Sequence, residues 1–308
     1  MKDGSNTRVV VLFPGALGDL VLARPALLVL RARHAGAHVV LAVHGWLRAL
    51  AATGDMADEV ASLDDADAAG LFGGARLPKW FGDRPELYAW IGTRDPDVAE
   101  RLRSLAARAA LFAVVRDDAP THASLDYLRQ IDAAPDAGPV VPWPAPASTA
   151  RVEAVGAGRP LLVVHPGAGA IGKRWPAAGF RVLVDRWQRA GGVAAEILGP
   201  ADADVAPLGA VDRIVEWPLP DIAALLARSD AYAGNDSGIS HLAGAVGARG
   251  VAVFGPTRSR RWGPGGRIAA IDTEGAFPRD DEAARRLAAR VWSTLSGAGC
   301  LDKVQGRT

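Results

Sequence analysis

Three short segments of this sequence concentrate residue types that could do chemistry. The richest is Gly234-Asn235-Asp236-Ser237-Gly238-Ile239-Ser240-His241-Leu242-Ala243-Gly244-Ala245, set between the apolar runs Asp230-Ala231-Tyr232-Ala233 and Val251-Ala252-Val253-Phe254. The pattern reads as strand, polar loop, helix, strand. Ser237 or Asp236 is placed to cap a helix that starts near Gly238. Unpaired N–H groups at such a start attract anions, phosphates above all. His241 falls in the first turn, on the loop side. Asp236, Ser237, Gly238 and His241 together suit a negatively charged ligand. Just downstream, Phe254-Gly255-Pro256-Thr257 closes the next strand in a turn, where Thr257 would add a hydroxyl.

The second segment is His165-Pro166-Gly167-Ala168-Gly169-Ala170-Ile171-Gly172-Lys173-Arg174-Trp175-Pro176, after the apolar run Leu161–Val164. Gly167, Gly169 and Gly172 spell a formal G-x-G-x-x-G, the fingerprint of dinucleotide binding. In that fingerprint the third glycine lies inside the opening helix. Here Lys173-Arg174-Trp175-Pro176 follows it, and Pro176 suits the first position of the helix. The turn is therefore longer, and it projects Lys173 and Arg174. The next strand ends Leu198-Gly199-Pro200, without the acid that would meet a ribose. A basic loop before a helix start favours a diphosphate over a nicotinamide ring. Trp175 reads as core packing.

The third segment is Pro14-Gly15-Ala16-Leu17-Gly18-Asp19, after Val9–Phe13. Gly15 and Gly18 permit a tight turn with close backbone approach. Asp19 lands at the start of the following helix. There it either caps the helix, worth ~1 kcal/mol, or serves as a general base that takes a proton from an attacking hydroxyl.

These loops need elements to hold them. Val9–Phe13, Val39–Val43, Leu87–Ile91 and Leu111–Val115 read as buried parallel strands. Helical patterns lie between them, over Leu20–Arg33 and Pro96–Arg108. Gly138 to Pro146 carries four prolines in nine residues, which rules out helix and central strand and reads as a stiff linker. The rhythm then restarts. Strands are expected over Leu161–Val164, Ala194–Leu198 and Arg213–Val215, around Tyr232, and over Val251–Phe254. Helices are expected over Ala177–Arg189, Ile222–Ala227, Ile239–Val246 and Asp280–Leu295, with a frayed tail from Gly297. This alternation is that of doubly wound α/β sheets, which bind ligands at the carboxyl ends of their strands. Two such halves, 1–145 and 146–308, imply a cleft between Rossmann-like domains, the last helix staying with the second or crossing back to the first.

Composition excludes several classes. The net charge of +1 gives no bulk argument for nucleic acid or an anionic membrane. Cys300 stands alone, so no internal disulfide forms, which fits a reducing cytoplasm. The start, Met1 to Asn6, lacks a signal-peptide core. The longest apolar stretch, Leu20–Leu30, is interrupted by Arg24 and Pro25, too short for a span. Lysine occurs at four positions, 2, 79, 173 and 303, which draws notice to Lys173. The triplets Asp65-Ala66-Asp67 and Asp202-Ala203-Asp204 sit in Ala-rich helical contexts and read as surface acids, not a metal site.

Taken in order, these loops resemble the heptosyltransferases of glycosyltransferase family 9. Members carry a leading L-G-D loop, here Leu17-Gly18-Asp19; an H-P-G followed by K-x-W-P, here His165-Pro166-Gly167 and Lys173-Arg174-Trp175-Pro176; a D-T/S-G-x-x-H-L loop, here Asp236 to Leu242; and an F-G-P-T turn, here Phe254 to Thr257. The resemblance implies a GT-B fold, inversion at the anomeric carbon, no metal or cofactor, and an ADP-activated heptose as donor. It makes Asp19 the general base, puts Gly15 and Gly18 on the acceptor side, and sets Lys173 on the donor phosphates. Gly167, Asp236, Ser237, Gly238, His241 and Thr257 would hold the donor. Asp202 would meet the ribose and Leu219 the nucleobase. Ser237 stands where many members have threonine.

The chain departs from the lipopolysaccharide enzymes in one respect. Residues 55–70 carry Asp55, Asp58, Glu59, Asp64, Asp65 and Asp67, where those enzymes tend to be basic. That argues against a lipid A–core acceptor and leaves a glycan or a small molecule. Arg76, Lys79 and Arg84 would still meet an anionic acceptor. Two other readings stand beside this one: a sugar-nucleotide-binding protein without catalysis, and an NAD-dependent oxidoreductase using the Gly167–Gly172 loop.

Overall fold

The computed structural model describes residues 7–74, 76–116, 119–134, 141–144, 146–277 and 280–302. The chain divides into two compact units, Met1–Asp117 with Ser124–Pro139, and Asp118–Ala123 with Val140–Thr308.

The first unit contains β1 (Arg8–Leu12), α1 (Leu17–Arg33), β2 (His38–Val43), α2 (Arg48–Ala51), β3 (Glu59–Ser62), β4 (Glu86–Ala89), α3 (Pro96–Leu105), β5 (Arg108–Leu111) and all but the first residue of α4 (Ala123–Gln130). Its sheet runs β3-β2-β1-β4-β5, every pair parallel. Val10, Leu12, Val40, Ala42, Leu87 and Ala89 fill a core against Leu71, Phe81 and Leu102. The charge that interrupts the apolar run of α1 is itself buried. Arg24 is satisfied there by donating Nε and a terminal nitrogen to the Gly54 carbonyl, at 3.2 and 3.0 Å.

The second unit contains α5 (Ala150–Ala154), β6 (Leu161–His165), α6 (Ala177–Arg189), β7 (Val193–Leu198), β8 (Asp212–Val215), α7 (Leu219–Arg228), β9 (Ala231–Asn235), α8 (Gly238–Ala245), β10 (Arg249–Phe254), α9 (Ser259–Trp262), β11 (Arg267–Asp272) and α10 (Asp281–Gly297). Its sheet runs β11-β10-β9-β6-β7-β8, again all parallel. On α6, Phe180, Leu183, Val184 and Trp187 recur at helical spacing and bury one face. On α10, Leu287, Ala288, Val291, Trp292 and Leu295 do the same. The two helices pack together, and α10 groups with the second unit. Gly179 has no substitute, because a Cβ there would stand 2.1 Å from the buried Trp175 ring.

Three expectations need correction, and two strands were missed. The apolar run Leu111–Val115 is strand only at Leu111; β5 starts at Arg108 and ends level with its neighbour β4. Pro176 is the cap of α6 and not its first residue. The chain past α10 is packed: Gly299 turns at φ +70°, and Cys300 and Leu301 join the core. Two edge strands were not expected from the sequence: β3, four residues with polar ends, and β11, whose apolar run Ile268–Ile271 lies between Arg267 and Asp272. Of the proline-rich stretch, 138–140 and 145 lie outside the described residues, as do the N-terminal hexapeptide and 303–308. Trp143 of that stretch is buried, and its N–H donates to the Ala245 carbonyl at 2.8 Å.

Candidate active site

All strands of the second unit are parallel, so the loops after β6, β7, β8, β9 and β10 leave one edge of the sheet. The strand order reverses between β6 and β9, the switch point where such sheets bind ligands. Asn235, the last residue of β9, joins the two loops that flank it. Its side-chain Oδ1 accepts the backbone N–H of Trp175 at 3.0 Å, and its side-chain Nδ2 donates to the carbonyls of Pro166 (2.8 Å) and Gly167 (3.2 Å). The residue is fully buried and polar, so these bonds are obligatory. Sequence reading gave it no role, although it directly precedes Asp236.

Fixed in this way, the loops bring three predicted residues together. Lys173 Nζ donates to Asp236 Oδ2 at 2.8 Å, and Thr257 Oγ1 donates to the same oxygen at 2.6 Å. Asp236 is buried, and the Lys173 side chain is 34% exposed. Ser237 caps α8, its Oγ accepting the Ser240 N–H at 3.3 Å. The N–H groups of Gly238 and Ile239 have no intrahelical acceptor at such a start.

His241 follows one turn in. Burial pushes its pKa down to about 4, with help from His122 and Lys173 and against the pull of Asp236. It is therefore a neutral imidazole at pH 7, and it would bind an anion as an N–H donor, not as a cation. Its Nδ1 is buried without a hydrogen-bond partner. His122 reaches this side of the unit through residues 119–123, where its Nε2 lies 2.9 Å from the Gly263 carbonyl and Arg261 donates to the Thr121 carbonyl at 2.8 Å. His165 is also held neutral by burial, a ring nitrogen 2.9 Å from the Ile197 carbonyl.

Asp202 corrects the expectation of a surface acid. It is 3% exposed, accepts the Gly199 N–H at 2.9 Å and lies 3.4 Å from the Arg174 guanidinium. Any Cβ on Gly167 would stand 2.2 Å from its carboxylate. Asp202 and Gly167 thus form one packed contact that shapes the loop, with Arg174 also paired to the exposed Asp204 at 2.7 Å. Asp65 and Asp67 are exposed. Leu219, half-buried, opens α7 after the edge strand β8, two strands from β6. The G-x-G-x-x-G opens no α-helix: Gly172 lies in a single 3-10 turn, Ile171–Lys173, α6 begins only at Ala177, and Gly169 and Gly172 meet nothing where a Cβ would be.

In the first unit, Asp19 is the third residue of α1. Its Oδ2 accepts the Ala16 N–H at 3.0 Å, the returning half of a capping box, and lies 3.2 Å from the Arg116 guanidinium. It is 7% exposed, while the Arg116 side chain is 58% exposed. Gly15 makes this approach feasible, since a Cβ there would fall 2.7 Å from that of Asp19. Gly18 is half-buried within the first turn of α1. Arg116 escaped sequence reading because it follows the end of β5 with no motif around it. The acids of residues 55–70 are largely engaged locally. Asp58 binds the Val39 N–H and Arg31, Glu59 binds His38, and Asp64 binds His44 and the Gly45 N–H. Arg84 reaches the Ala106 carbonyl. Among the described residues, no group of three or more His, Cys, Asp or Glu is arranged to hold a metal, and no helix is long and apolar enough to cross a membrane.

Known proteins share this architecture of two parallel α/β sheets. Residues 95–274 match the profile of Glycosyltransferase family 9 (heptosyltransferase). The glycosyl transferase family 9 structure from Veillonella parvula DSM 2008 superposes with a TM-score of 0.75 at 20% identity, covering 96% of this chain and 97% of that one. The E. coli ADP-heptose lps heptosyltransferase II gives 0.70 at 18% identity, covering 96% and 99%. The E. coli heptosyltransferase WaaC with ADP gives 0.65 at 15% identity, covering 95% and 100%. No curated protein sequence matches significantly. A family profile spanning more than half of the chain, over two parallel α/β sheets of the GT-B type, makes this protein a member of glycosyltransferase family 9 and a heptosyltransferase-like glycosyltransferase.

Proposed function

We propose that the protein moves a heptose or a related sugar from an ADP-sugar to an acceptor hydroxyl, in the cytoplasm, with inversion at the anomeric carbon and without a metal. Asp19 takes the proton of the acceptor hydroxyl as its oxygen attacks the anomeric carbon. The bond to the diphosphate breaks on the opposite face, so positive charge grows on the sugar ring and negative charge on the leaving oxygens. Lys173, the first amides of α8 and the neutral His241 receive that negative charge, the kind of term that dominates many enzymatic accelerations.

One observation carries this reading: Lys173 and Thr257 converge on a single oxygen of buried Asp236 beside the start of α8. An ammonium has three donors. With one committed to Asp236, two remain for phosphate oxygens. Asp236 thereby aims the cation, Ser237 and Gly238 shape the amide cradle, and Gly167 and Asp202 hold the wall of the loop. Leu219 lies further along the same edge, on the nucleoside side. Gly15 and Gly18 let an acceptor approach the backbone near Asp19. The ADP and ADP-heptose named for the two E. coli structures support adenine as the base.

Thermal melting with ADP, GDP, UDP and NAD tests the donor assignment. ADP should raise the Tm most, and a larger rise with NAD or GDP would overturn it.

A further inference from the structure

Beyond the donor site, the first unit contains a cavity of about 430 Å³, within the range of small-molecule sites. Its walls include Phe72, Trp90, Ile91, Val98, Ala113 and Val114. It lies where the chain leaves β4 and β5. The strand order of this sheet reverses between β1 and β4, next to the β4 end of the cavity, and the lining residue Arg116 binds Asp19 of the loop after β1. Gly92, at φ +91°, turns the chain so that Thr93, Arg94 and Asp95 contribute to the rim. Trp90 is locked in place, its indole N–H donating to Gln130 Oε1 at 2.7 Å and its ring 4.9 Å from that of Phe112.

Two of the three charged side chains that line this cavity are committed. Asp95 caps α3, accepting the N–H groups of Asp97 and Val98 at 3.0 and 3.2 Å. Arg116 lines the cavity and also binds Asp19 at 3.2 Å. Arg94 is exposed to solvent. Such a lining has aromatic and branched walls, and of its two cations Arg116 is paired with Asp19 while Arg94 stands in solvent at the rim. It suits a neutral apolar body over an acidic sugar, whose carboxylate would need its own buried partner.

Resting on the transfer reading above, we propose that this cavity binds the acceptor, and that the acceptor is a neutral, ring-bearing alcohol or phenol. Its apolar body fills the space between Phe72, Trp90 and Val98, and its hydroxyl points past Arg116 to the Asp19 carboxylate. Transfer then joins that oxygen to the anomeric carbon, sends its proton to Asp19 and releases ADP.

Calorimetric titration with 2-naphthol and with glucuronic acid tests this assignment on wild type and on two cavity-filling variants, Ala113→Phe and Thr93→Trp. Both positions are exposed, so neither change disturbs the core. Expected is 2-naphthol binding to wild type, a Kd about tenfold or more higher in each variant, and glucuronic acid at least about tenfold weaker than 2-naphthol in wild type. Incubation with ADP-heptose should yield a naphthyl glycoside with wild type and little with the variants, while ADP still raises the Tm of all three proteins. Unchanged 2-naphthol affinity in both variants, or tighter glucuronic acid, would overturn the proposal. If ADP fails to shift the Tm of wild type while 2-naphthol binds and the variants weaken it, the donor assignment fails and the ligand class of the cavity stands.

Discussion

Asp19 serves the fold and, in the proposed reaction, the chemistry, and two substitutions separate these roles. In Asp19→Asn the side-chain oxygen still accepts the Ala16 N–H, so the start of α1 is kept while the base is removed. The lost pairing with Arg116 costs about 0–1 kcal/mol, because that guanidinium is largely in solvent. Asp19→Ala loses the cap as well, and urea melts should show a further ~1 kcal/mol. His241 gives a pH signature. Its folded pKa, about 4, lies below the ordinary 6.5. Between those values the unfolded chain binds a proton that the folded chain refuses, so stability is level above about pH 6.5 and falls as pH drops toward 4. His165 shifts in the same direction. His241→Asn should therefore reduce the loss of stability between about pH 7 and about pH 5 without abolishing it; denaturant midpoints at the two pH values measure this. Asp19, Lys173 and Asp236 stood out in the sequence because each sits in a motif after an apolar run. Arg116 had no such marker, since its role comes from the pairing of β1 with β4.

At the scale of elements, the parallel strands and the loops that follow them were legible because buried strands are continuous apolar runs. Helix α6 was read at its observed bounds, its apolar residues recurring every three or four positions. The edge strands β3 and β11 were not legible. In β3, Glu59-Val60-Ala61-Ser62 looks like part of an acidic loop, and in β11 the apolar run Ile268–Ile271 is only four residues long between charged ends. The run from Leu111 to Val115 misled for the opposite reason: its apolar residues serve a cavity wall beyond the sheet edge. Within the donor loops, Asn235 and Gly167 are the joints. Asn235→Ala removes three hydrogen bonds from a buried site and should cost about 2–4 kcal/mol by denaturant unfolding, with weaker ADP binding. Gly167→Ala drives a methyl into the Asp202 carboxylate. That should displace the loop and weaken ADP binding more than it lowers the Tm, as calorimetry with ADP would show.

For the whole molecule, the order of the three motifs along the chain carried more information than any one of them. The G-x-G-x-x-G alone points to a dinucleotide, and its distance from α6 removes that meaning. The two α/β halves followed from the restart of the strand–helix rhythm. The commitment of residues 118–123 to the second unit did not, because Thr121 and His122 are held by contacts with Arg261 and Gly263, more than a hundred residues away. If Lys173 and the α8 amides neutralise the diphosphate, transfer should continue at an undiminished rate after treatment with EDTA. A loss of activity restored by one divalent cation would show that the charge is balanced differently.

The most direct measurement is the steady-state rate of ADP release from ADP-heptose and an acceptor by wild type and Asp19→Asn, paired with ADP affinity. A general base contributes about a hundredfold or more. The expected result is a kcat lower by at least about that factor in Asp19→Asn, with the ADP Kd unchanged. A variant that turns over at close to the wild-type rate would remove Asp19 from the chemistry and contradict the proposed mechanism.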